Sequence, residues 1–167
     1  MSTKHSLFAI QIFTRLDESE RLRARLHQIL QSAGEHVSYA GKHVFYSELV
    51  NALLQSKVRF PYGHWDYTND PEEAQTEFEE WSMGTIRDAT DAARHSPDPE
   101  QERFMFLTFA VLIERKSDAD RQLERACSVH ADALWHRSTF EKLFLAFLRL
   151  DFRRVRSDVV FLCPGNI

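Results

Sequence analysis

Between Phe60 and Tyr67 the chain reads Phe-Pro-Tyr-Gly-His-Trp-Asp-Tyr. Rings with a polar tip are enriched at pockets and interfaces. Phe60, Tyr62, His64, Trp65, Asp66 and Tyr67 therefore form the first candidate binding set. If His64, Asp66 or Cys163 converge in an enclosed cleft, the site favours chemistry; a flat aromatic patch favours a partner. A plainer arrangement competes with both. In it Phe60 and Trp65 fold back onto the core and the Tyr hydroxyls stay wet.

A second candidate is basic. Arg149, Arg153, Arg154 and Arg156 crowd around Phe152. Guanidinium forks suit phosphate and carboxylate, so Arg153, Arg154 and Arg156 are candidate anion ligands. The competing expectation pairs them with acids such as those between Glu72 and Glu80.

Other chemistry finds little footing. Cys163 lies beside Pro164-Gly165, where a strand end could present a nucleophile, but no Cys-His signature surrounds it. Eight histidines are present, yet no pair has the helical spacing of zinc ligands and Cys-x-x-Cys is absent. There is no Gly-rich phosphate loop, Ser-His-Asp order or dinucleotide fingerprint. No catalytic residue, metal ligand or cofactor is assigned.

Positioning these groups requires elements. Leu7 to Phe13 reads as a strand. Asp17 with Glu20 reads as a capping box opening a helix through Leu22, Leu26, Ile29 and Leu30. Val44 to Leu54 reads as a second helix, and Lys57 to Asn69 as a loop. Asp70-Pro71-Glu72-Glu73 starts a third helix, expected to continue through Trp81 to Ala92. Pro97 and Pro99 then mark a connection. Phe104 to Ile113 is apolar on both faces, the pattern of a strand covered on both sides. Ser117-Asp118 opens a fourth helix. Ser138-Thr139-Phe140-Glu141 opens a fifth. Val159 to Leu162 is a closing strand. A faint internal echo sets Phe8-Ala9-Ile10 and Leu22 against Phe109-Ala110-Val111 and Leu123, the trace of a duplication.

Composition bounds the rest. The 167 residues are 43% hydrophobic and 28% charged, as in an ordinary single domain spanning 1–167. A net charge of -4 argues against sequence-independent nucleic-acid binding. The longest uncharged apolar run, Phe104 to Ile113, is half of what a spanning helix needs, so no membrane is expected. No secretory signal is read at the N-terminus. Two cysteines fit a reduced, cytoplasmic chain.

Three stretches resemble one family, the bacterial and plastid domain of unknown function fifteen-seventeen. They are Ala52 to Leu54 with the aromatic run Phe60 to Tyr67, the strand Phe106 to Val111, and the closing Asp158 to Pro164. In that family a comparable last strand ends in an aromatic residue, a small residue and Pro, and an acidic segment follows. Here Cys163 precedes Pro164 and the sequence ends at Ile167. The resemblance implies no activity, ligand or cofactor, because the family has none established.

The expected fold is α+β, with about five helices on a small three-stranded, mostly parallel sheet. If the strands run in order, the helices fall on one face and a second copy of the chain must cover the other. If the strand order reverses, the chain covers both faces itself. The expected function is a non-catalytic protein-interaction or scaffold module, homodimeric or bound to another protein through the aromatic stretch. The alternative is a small-molecule or anion-binding protein, or an enzyme, with its site near residues 60–67.

Overall fold

A computed structural model of the chain describes residues 3–35, 37–57, 62–83 and 104–163. The elements in order are β1 (His5–Arg15), α1 (Glu20–Gln31), α2 (Tyr39–Gln55), β2 (Tyr62–Thr68), α3 (Pro71–Ser82), β3 (Phe104–Glu114), α4 (Asp118–Cys127), α5 (Arg137–Leu148) and β4 (Val155–Cys163). Short 3-10 turns lie at Ala33–Glu35, Ala131–Ala133 and Phe152–Arg154.

The four strands form one sheet in the order β2-β1-β3-β4, and every neighbouring pair is antiparallel. This corrects the expected three-stranded, mostly parallel sheet. The physical reason is the number of helices in each connection. One helix between strands returns the chain to its starting end, so the next strand runs parallel. Two helices in series reverse the chain once more, so the next strand runs antiparallel. Two helices join β1 to β2, and two join β3 to β4. The fourth strand is β2, inside the stretch read as a loop. Its period escaped notice because Gly63 shows no hydrophobic signal and His64 and Asp66 sit at a sheet edge.

Helix starts follow local chemistry in part. Asp70 caps α3, its carboxylate accepting from the Glu72 and Glu73 N–H groups, and Pro71 sits in the first turn. Ser117 caps α4 through the Asp120 N–H. The other two expected boxes are not used. Ser19, not Asp17, precedes α1, and its hydroxyl donates to the Arg15 carbonyl. His136 precedes α5, and Ser138 lies inside that helix. Helix α2 begins earlier than expected, at Tyr39, behind a Ser38 cap. Thr85 to Ala92 and the proline connection lie outside the described residues.

The sheet is the middle of three layers. Phe8, Ile10, Ile12, Met105, Leu107, Phe109, Val111 and Ile113 meet α1, α2, α4 and α5 in one core. On the opposite face Leu7, Ala9, Ala110 and Leu112 pack against Ala74 and Trp81 of α3. Farther along that face Phe13 and Phe106 are buried together. Both central strands are buried along nine consecutive residues, as two-sided hydrophobicity requires. The chain covers both faces, so the argument that called for a second copy across an open face loses its premise.

The two β-α-α-β halves carry the same buried spacing. Leu22, Leu26 and Ile29 of α1 match Ala119, Leu123 and Ala126 of α4. Phe45, Tyr46, Leu49, Val50 and Leu53 of α2 match Thr139, Phe140, Leu143, Phe144 and Phe147 of α5. In this spacing Leu123 answers Leu26, not Leu22 as the sequence echo had it. The halves interlock. Lys42 and Tyr46 of α2 reach Asp158 on β4, while Phe140 and the turn before α5 lie over β2.

Candidate functional site

Strand β2 is an edge strand, so successive side chains go to opposite faces along one rim of the sheet. Its register on β1 pairs Ile12 with Gly63, Ile10 with Trp65 and Phe8 with Tyr67 on the four-helix face. It pairs Gln11 with His64 and Ala9 with Asp66 on the α3 face. Gly63 is required by a close approach: a Cβ there would stand 2.5 Å from Phe140 Cζ. Trp65 folds onto the helix side, as the plainer reading expected, and its Nε1 donates to the Leu134 carbonyl at 2.8 Å. The Tyr67 hydroxyl is not wet. It donates to Asp120 Oδ1 at 2.8 Å, and Asp120 Oδ2 accepts from the Lys116 N–H at 2.7 Å. Burial, followed by the Asp120 contact, holds the Tyr67 phenol well above its ordinary range, so it stays a donor. The backbone of Tyr62 pairs with Phe13, and its side chain lies outside the described residues. Phe60 lies outside the described residues.

On the α3 side His64 is stacked between two indoles. Its ring lies 6.0 Å from Trp81 and 5.3 Å from Trp135, with interplanar angles of 21° and 16°. Trp135 also lies 6.5 Å from Trp65. All three tryptophans of the chain thus meet at β2. Trp81 is buried, whereas Trp135 is 55% exposed. Trp135 touches residues of both faces of β2, so it lies across the strand's outer rim. Sequence reasoning placed His64 and Trp65 in this set and missed Trp81 and Trp135 as their partners. The available signal was that the chain's few indoles are spread over three separate elements.

The basic cluster does not form one surface. Arg153 pairs with Asp151 through two bonds of 2.9 and 3.0 Å, which hold the Asp151 carboxyl below its ordinary range. Arg154 bonds Glu114 at 3.1 Å, and Arg156 stands 3.9 Å from the same carboxylate. The partners are Glu114 and Asp151 rather than the α3 acids. Arg153 and Arg154 line a cleft of about 460 Å³ with Arg115, Lys116, Glu114 and Asp118. Arg149 lies elsewhere, in a groove between α4 and α5.

Burial, with Asp66 adding to it, pushes the Cys127 thiol up to about 12, so it holds its proton at neutral pH and is a poor nucleophile. The side chain of Cys163 is outside the described residues. Among the described residues no three His, Cys, Asp or Glu side chains converge as a metal site would need, and no helix is long and apolar enough to cross a membrane.

Compared with protein-family models, with curated proteins and with solved structures, the chain matches none of them.

Proposed function

We propose that this chain is a non-catalytic protein-interaction module whose site is the aromatic rim of β2. The observation that carries the reading is Trp135, stacked on His64 and still 55% exposed. A large ring held in place by a second ring loses little freedom when a partner covers it, and such rings dominate binding energy at interfaces. The flat outer face of Trp135 suits an apolar or aromatic side chain. Two titratable groups beside the rim support binding over chemistry: Tyr67 is committed to Asp120, and burial pushes the Cys127 thiol up to about 12.

The anion-binding alternative has the charged cleft in its favour, yet Arg153 and Arg154 there are already matched by carboxylates. The test uses displayed random peptides panned on the folded protein. Sequences rich in aromatic and β-branched residues should be enriched, and they should lose at least tenfold in affinity for a Trp135→Ala protein with an unchanged circular-dichroism spectrum. Selected peptides that bind the two proteins equally would overturn the reading.

A further inference from the structure

Between α4 and α5 lies a groove of about 390 Å³ whose α5 wall runs from Ser138 to Arg149. Those two residues span nearly the whole helix, so the wall is about 16 Å long at a rise of 1.5 Å per residue. Its apolar lining is Ala126, Leu145 and Ala146. The two alanines are small and buried, and Leu145 is 44% exposed. The Gln122 amide donates to the Ala146 carbonyl at 3.1 Å and ties the two walls together. Charge sets this groove apart from the rest of the chain. Glu141 in its wall is held by Arg137 at 2.8 Å. Lys142 and Arg149 are exposed, and neither side chain meets a carboxylate among the described residues. The groove therefore presents two uncompensated cations, although the chain's net charge is -4.

We infer that this groove docks an acidic amphipathic helix of a partner protein. Three features select that occupant. Both walls are helices whose backbone groups bond internally, so they offer no ladder to an extended segment. A helix brings its own backbone bonds and can lie over Leu145 with none left unpaired. The small side chains of Ala126 and Ala146 let a third helix axis come close. Lys142 and Arg149 stand two turns apart on the same stripe of α5, so they match two carboxylates at the same spacing on a partner helix. The Gln122 bond fixes the groove beforehand, which lowers the ordering cost of docking. This surface does not use Trp135, so it can fail without the aromatic-rim reading and the reverse.

The test pans displayed helix-forming peptides of about fourteen residues on the folded full chain. Selected peptides should carry an Ala/Leu stripe flanked by acids, two of them about seven residues apart. They should lose about tenfold or more in affinity for Leu145→Asp, and as much for Lys142→Glu combined with Arg149→Glu. Each variant should keep the wild-type circular-dichroism spectrum, and the charge-reversed protein should select Lys-rich peptides instead. If a variant does not fold, amide chemical shifts of the wild-type protein with a selected peptide decide, and they should move within residues 122–126 and 138–149. Peptides without an excess of acid, equal binding to the variants, or shifts centred on β2 and Trp135 overturn the inference. So does either rival occupant. A wild-type mass above 19.6 kDa that Leu145→Asp returns to 19.6 kDa would show a second copy in the groove. Binding to phosphatidylserine vesicles that the same variants abolish would show a lipid surface.

Discussion

Tyr67 on β2 donates its hydroxyl to the buried carboxylate of Asp120 on α4, 2.8 Å away. The bond joins the edge strand of the first half to the first helix of the second. The same carboxylate takes the N–H of Lys116, whose φ of 65° is rare for a side-chain-bearing residue. One buried group therefore holds both the β2 rim and the turn that launches α4.

Removing the phenol should expose that dependence. Tyr67→Phe leaves Asp120 one bond short while it remains 4% exposed. A bond to a charged acceptor contributes about 1.5–3 kcal/mol. Urea unfolding of Tyr67→Phe should show a loss of that size, and a midpoint equal to wild type would contradict it.

Gly63 tests the packing of β2 against α5. Gly63→Ala puts a methyl group into the Phe140 ring, and forcing extra volume into a packed core costs about 1–3 kcal/mol. Phe140→Leu alone is also destabilising, but the double variant should recover part of the loss. Strict additivity in that cycle would show that the two residues do not touch.

Gln11 and Thr108 form a buried pair at the middle of the α3 face, with Gln11 Nε2 donating to the Thr108 hydroxyl at 2.7 Å. Thr108→Val leaves a buried amide unsatisfied, at a cost of about 1–3 kcal/mol. Adding Gln11→Leu replaces both partners with apolar groups and should restore stability relative to the single variant. Chemical denaturation of the three proteins reads this directly.

His5 makes stability depend on pH in one direction. Burial and then Arg156 lower its pKa, with Glu114 opposing them. Protonation is thus easier in the unfolded chain, where the pKa is about 6.5. Stability is unaffected by His5 above that pH and falls as pH drops below it, until the folded form also titrates. His5→Gln should flatten this part of the pH–stability curve. An unchanged slope below pH 6.5 would assign the effect to other groups.

Cys127 should be nearly inert while folded. With its thiol pushed up to about 12, alkylation followed by mass spectrometry of the Cys127 peptide should rise steeply with pH through the alkaline range. It should become fast at neutral pH only in denaturant. Rapid labelling of the native protein at neutral pH would rule out the buried, protonated thiol.

Much of this molecule was legible in local pattern. Asp70-Pro71 marked the start of α3 because a cap and a preset φ act within a few residues. The double-sided apolar run at Phe104 to Ile113 could be nothing but a covered strand, and it is. Sequence also singled out His64 and Trp65, since aromatic residues around an imidazole stand out in any chain. The limits were local too. Strand β2 was hidden because Gly63 carries no hydrophobic signal; its meaning lies in the Phe140 ring that faces it.

By itself, then, the order of residues determined which side chains had to leave water, where the best-capped helices begin, and that the central strands would be shielded on both faces. Burial preference and capping are short-range properties of a chain, so they can be read without coordinates. Only the tertiary structure decided that neighbouring strands run antiparallel, that α3 packs on the second face, and that Trp81 and Trp135 close on His64. Those outcomes depend on chain direction after each pair of helices and on contacts between residues far apart in sequence. No spacing within one segment encodes such contacts.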